Sequence, residues 1–155
     1  MPAQPNGSGS AAGNSVNNTP PSTTQTADTL RGIVTVVGSD PGTWLVLRPA
    51  GARGVSLTGA EALRSVSGAE VWVRGRAIDQ HFEVDRFLVR AVSGRPVNDG
   101  VVTRSGAGVV VELTEGGRVE IPDAPPQLAS LAGSRVWITT PVPGSAVSFG
   151  VIRAP

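Results

Sequence analysis

Cysteine, tyrosine and lysine are absent from this chain, and histidine occurs once, at position 81. Without Cys there is no disulfide scaffold and no thiolate metal site. With Lys and Tyr also missing and a single imidazole, the usual nucleophiles and general acid–base groups are nearly exhausted, so no enzyme and no cofactor is expected. Aromatic residues make up 4% of the chain. No run approaches the roughly 18 apolar residues that a membrane-spanning helix needs. No G-x-S-x-G elbow occurs, and the glycines from Gly100 to Gly108 lack the Lys of a phosphate loop.

What the chain does contain is Gly, Pro and Arg. Twenty Gly and 13 Pro in 155 residues disfavour long helices. All 13 positive charges are Arg, set against 12 acids, for a formal charge of +1. The basic isoelectric point follows from that one extra Arg and does not by itself mark a nucleic-acid surface. The charge divides unevenly: residues 30–97 hold nine Arg against six acids, and residues 98–155 hold four against five.

Residues 1–28 are built almost wholly from Pro, Ala, Gly, Ser, Asn, Thr and Gln, and the first charge is Asp28. Such a segment buries too little apolar surface to offset its ordering entropy, so residues 1–29 read as a disordered, flexible spacer. It resembles the stretch that follows the acylated Cys of bacterial lipoproteins, although no Cys stands here. Asn17-Asn18-Thr19 matches a glycosylation sequon, read as a chance match in an Asn/Thr-rich tail. Met1 to Gly13 has neither a basic start nor an apolar core, so no signal peptide is read there. A native start at Met1 implies the cytoplasm. The chain is otherwise expected to be extracytoplasmic, in the periplasm or cell envelope, the alternative in which it is a trimmed form that has lost an upstream signal or anchor.

From Leu30 onward, short β-branched runs alternate with Gly, and a repeat of about 65 residues emerges. Arg31-Gly32-Ile33-Val34-Thr35 matches Asp99-Gly100-Val101-Val102-Thr103. Leu45-Val46-Leu47 matches Val111-Glu112-Leu113, and Val71-Trp72-Val73 matches Val136-Trp137-Ile138. Leu63, Val66 and Gly68 match Leu128, Leu131 and Gly133, and the strand ending Val89-Arg90 matches Val151 to Arg153. Each unit predicts three strands, a short helix and two strands. In the first unit the strands fall near 31–37, 43–48, 53–57, 70–78 and 82–92. Thr58-Gly59-Ala60-Glu61 reads as a capping box that opens the helix, and Gly68 ends it. In the second unit Asp123 reads as the cap, with Pro125 and Pro126 in the first turn. Ser93 to Asn98 reads as a short linker, so the units are expected to pack together.

This strand–helix order resembles the OB-fold, a five-stranded barrel with a helix between its third and fourth strands. The expected fold is mainly β: a tail (1–29), then two tandem OB-like barrels (30–97 and 98–155), each with one short helix. The chain also resembles small bacterial envelope OB-fold proteins. A single β-sandwich of all ten strands is the rival architecture.

Alternation along the second strand puts Leu45 and Leu47 in the core and Trp44, Val46 and Arg48 on the outer face, with Arg53, Arg74 and Arg76 nearby. Trp72 and Trp137 face away from the core in both units. These eight residues are the binding candidates. The row Asp79, His81, Glu83 and Asp85 shares a strand face, but it lacks ligands from a second element, so no metal is assigned. The functional expectation is a binding or scaffold subunit that docks on a protein partner through its tail and barrel surfaces. The runner-up is an OB-type binder of single-stranded nucleic acid or oligosaccharide, through aromatic and basic residues on the outer face.

Overall fold

The computed structural model describes residues 2–3, 27–106 and 108–155. The spacer assigned to residues 1–29 therefore lies largely outside the described residues. The chain is mainly β. Ten strands are joined in one hydrogen-bonded network, antiparallel but for a single parallel pair.

The first half comprises β1 (Asp28–Val37), β2 (Trp44–Arg48), β3 (Val55–Thr58), a 3-10 helix (Glu61–Val66), β4 (Glu70–Ile78) and β5 (His81–Val92). Here β1 pairs with β2 and β4, β2 with β3, β4 with β5, and β3 runs parallel to β5. The pairings thus run β1–β2–β3–β5–β4 and return to β1. The second half comprises β6 (Arg95–Ser105), β7 (Gly108–Leu113), β8 (Arg118–Ile121), α1 (Pro126–Ala129), β9 (Arg135–Thr139) and β10 (Phe149–Arg153). Its pairings run β8–β7–β6–β9–β10, with no ladder between β8 and β10.

The two halves share local devices. Gly32 in β1 and Gly100 in β6 each lie so close to the neighbouring strand that a Cβ would run into a backbone carbonyl, of Arg48 and Glu112 respectively. Only Gly permits the approach, and it lets the long first strand bend around the core. After each helix, a left-handed Gly donates its N–H to that first strand: Gly68 to Val34 O at 2.7 Å and Gly133 to Val102 O at 2.8 Å.

Two apolar clusters lie inside the sheet. Val34, Leu45, Leu47, Leu63, Val71, Val73 and Val89 centre the first; Val102, Val111, Leu128, Val136 and Ile138 centre the second. Ile152, from β10 of the second half, is buried in the first cluster. Its carbonyl accepts from the Ser65 hydroxyl of the 3-10 helix at 2.9 Å.

Several local expectations are corrected. Strand β1 begins at Asp28, not at residue 31, because Asp28, Thr29 and Leu30 find ladder partners in Gly75, Arg74 and Val73. Strand β3 begins at Val55, leaving Arg53 in the preceding loop. No capping box forms. Ala60 is the cap residue, without a side-chain bond, and its carbonyl takes the Leu63 N–H at 2.9 Å, so the tight 3-10 turn satisfies itself. Glu61 instead pairs with Arg64 at 2.5 Å. Asp123 likewise caps nothing, since Pro125 holds the cap position of α1. Residues 93–98 are not a linker. Ser93 and Gly94, at φ of 50° and 74°, make a tight hairpin turn, and Arg95 to Asn98 already belong to β6. Among the described residues no helix is long and apolar enough to cross a membrane.

Candidate ligand-binding surfaces

Alternation on β2 sorts its side chains as the sequence predicts. Leu45 and Leu47 are buried, while Trp44, Val46 and Arg48 lie on the outer face. Cross-strand register extends that face onto β1, where Val37 is opposite Trp44, Thr35 opposite Val46 and Ile33 opposite Arg48. On β3, Ser56 is opposite Val46. Trp44 is 49% exposed and Ile33 40%. Trp44 is held at the mouth of the β1–β2 loop. Arg64 donates to the Thr43 hydroxyl at 3.0 Å and to the Thr43 carbonyl at 3.1 Å, fixing the residue before it to the 3-10 helix.

Arg53 is exposed in the loop between β2 and β3, next to Gly54, which packs against Val46. Arg74 lies further along the same outer side of the sheet. Arg48 is opposite Ile33, whereas Arg74 is opposite Thr29, four residues further along β1, or about 13 Å. Arg76 is paired with Glu83 at 3.2 Å. The sequence candidates thus divide into a Trp44–Val46–Arg48–Arg53 patch and a Trp72–Arg74–Arg76 patch, with Trp137 elsewhere.

The Trp72 face spans β1, β4 and β5. One row across the strands holds Arg31, Trp72 and Leu88; the next holds Thr29, Arg74 and Arg86. The Arg90 guanidinium lies 4.6 Å and that of Arg31 5.9 Å from the centre of the Trp72 ring, both within cation–π range. Arg31 is paired with Glu70 at 2.5 Å, and Arg90 with Glu115 of the second half. Trp137 packs against the first apolar cluster, and Gly150 lies flat against its indole. It is therefore engaged at the seam between the halves.

At that seam sits a buried ion pair that the sequence reading missed. The Asp99 side chain is 2% exposed. Its carboxylate accepts from Arg135 Nε at 2.7 Å and Nη2 at 2.8 Å, from the Val89 backbone N–H at 2.8 Å and from the Thr114 hydroxyl at 3.0 Å. Arg135 also donates to the Phe87 carbonyl at 2.6 Å and lies 4.2 Å from the centre of the Phe87 ring. Both oxygens of the buried carboxylate, and Nε and Nη2 of Arg135, are thus matched. A signal was available: Asp99 and Arg135 occupy the places of Arg31 and Glu70 in the first half, with the signs exchanged.

The His81 row is broken. Asp79 lies in the turn before β5, at φ 51°. Among the described residues no three His, Asp or Glu side chains gather where they could hold a metal ion. A comparison with protein-family models, curated proteins and solved structures finds no match to this chain. The functional reading therefore rests on geometry alone.

Proposed function

We propose that this chain is a non-enzymatic binding or scaffold subunit, built from two tandem OB-like barrels, that docks on a protein partner through its outer faces. The observation that carries the reading is the Trp44 face. A half-exposed indole on a rigid sheet, with Val37 opposite it, Val46 next on its own strand face, and Ile33 and Arg48 further along that face, has the composition of a protein-interface hot spot. The returning pairing of β1 to β5, with β3 parallel to β5, supports the OB-like barrel over one ten-stranded sandwich. The matched glycines and helix-end bonds of the two halves support a duplication. The second barrel is open where β8 and β10 are unpaired.

The setting we propose is extracytoplasmic, in a membrane-associated or cell-envelope assembly, with the N-terminal segment as a tether. A second reading keeps the same face but gives it an OB-type ligand, single-stranded nucleic acid or oligosaccharide. It is favoured by Trp44 and Arg48 standing together on the outer face of β2.

Affinity capture from the native cell separates the two. Wild-type bait is compared with Trp44→Ala, Arg48→Ala and a form lacking residues 1–26. Loss of one specific protein on Trp44→Ala supports docking. A partner set indifferent to every variant contradicts it. Salt-steep binding of single-stranded DNA that disappears with Trp44→Ala selects the second reading.

A further inference from the structure

Arg74 and Arg86 are direct cross-strand neighbours on β4 and β5. Like charges in that position repel, and strands ordinarily avoid them. Each surrounding arginine has a carboxylate: Arg31 has Glu70, Arg76 has Glu83, Arg90 has Glu115 and Arg135 has Asp99. Among the described residues, Arg74 and Arg86 have none. The two therefore leave uncompensated positive charge inside an otherwise neutralised surface.

They also flank a cavity. A pocket of about 210 Å³ is bounded by Thr29, Trp72, Arg74, Arg86 and Leu88 of the first half and by Thr114 of the second. Its lining is apolar and aromatic apart from the two threonines and the two arginines. The indole N–H of Trp72 is buried without an acceptor, the one buried side-chain polar atom left unmatched among the described residues. The second half has no such site: Trp137 is matched to Trp72, but Thr139 stands where Arg74 does.

We propose that this pocket is a carboxylate receptor, which takes an acidic side chain flanked by an apolar one from the partner polypeptide. The proposal rests on the protein-docking reading and names the chemistry of that partner. Two guanidinium forks fit a carboxylate with short, charge-assisted hydrogen bonds, and binding relieves their mutual repulsion. The volume suits one side chain, being below the roughly 300–1,000 Å³ of pockets for larger ligands. A nucleic-acid strand fits poorly, because its continued phosphates would find only these two unpaired arginines, the neighbouring Arg31, Arg76 and Arg90 being already matched to carboxylates.

The test is a titration of the full chain, followed by the Trp72 indole and nearby backbone resonances in NMR. The probes are acetyl-Leu-Glu-Leu-Glu-Leu-amide, its Gln counterpart and an oligothymidylate octamer. The expected result is saturable shifts with the Glu peptide alone, weakened about tenfold or more in Arg74→Gln and in Arg86→Gln. Both variants should melt no lower than the parent, since each removes a like-charge contact. Equal binding of the Gln peptide, indifference to both substitutions, or preferential binding of the oligonucleotide at this pocket overturns the proposal. Absence of peptide binding alongside Trp44-dependent capture of a protein refutes the pocket and leaves the docking reading standing. Loss of that capture with peptide binding intact does the reverse.

Discussion

Asp99 shows how much one residue can carry in a chain of this size. It ties β5, β6, β9 and the β7–β8 loop through one carboxylate, and among the described residues it is the one carboxylate paired with Arg135. Removing one partner of a buried pair strands the other charge, which costs about 3–5 kcal/mol. Asp99→Ala should therefore lower the urea unfolding free energy by that amount. Asp99→Leu combined with Arg135→Met should recover most of the loss, because no charge is then left unpaired. The exposed Arg31–Glu70 pair, at the matching place in the first half, should be worth under about 1 kcal/mol in the same assay. Sequence alone placed Leu45, Leu47, Val71 and Val73 correctly in the core, because strand alternation decides them. The exchanged signs at Asp99 and Arg135 point to a pair, but not to its burial. What buries it is the folding of one half against the other, and no local pattern encodes that.

At the level of elements, β10 is the informative one. The strand ending Val89-Arg90, where Val89 is buried, is matched by sequence to the stretch Val151 to Arg153 without a residue-by-residue register. In the structure Val151 is exposed and Ile152 is buried, because the β9–β10 register shifts between Val151 and Arg153. One extra residue in a strand reverses which side chains face inward, and a spacing argument cannot detect it. The consequence crosses the seam, since Ile152 completes the first cluster and not its own. Ile152→Ala should cost about 2–5 kcal/mol by leaving a cavity there, whereas Val151→Ala should cost under about 0.5 kcal/mol. Chemical denaturation of both variants checks the pair, and equal costs would contradict the placement. The helices show the same limit. Of the apolar helix faces read as Leu63 with Val66 and Leu128 with Leu131, all but the half-buried Leu131 are buried. The caps were not legible, because the cap positions fall to Ala60 and Pro125, neither of which has a side chain that can accept a hydrogen bond.

Across the whole molecule, the halves are joined by the β5–β6 hairpin, the Asp99 network and Ile152. Three such links leave no flexible hinge among them. The chain should unfold from residue 28 onward as one unit, with tryptophan fluorescence and circular dichroism giving coincident transitions and a calorimetric to van't Hoff enthalpy ratio near one. Two separate transitions would mean that the seam contributes little. Strand order, the helix positions and the Trp44 face were all legible in the sequence. The division of the arginines into paired and unpaired was not, because partners such as Glu70 and Glu115 lie far from Arg31 and Arg90 along the chain.

The docking reading is tested most directly by site-specific photo-crosslinking in the native cell. A benzophenone amino acid would replace Trp44 in one form and Val110, which is opposite Thr103 on β7 as Val46 is opposite Thr35 on β2, in another. The account predicts a specific protein adduct from position 44 and none from position 110. Adducts of equal yield from both, or none from position 44, would contradict it.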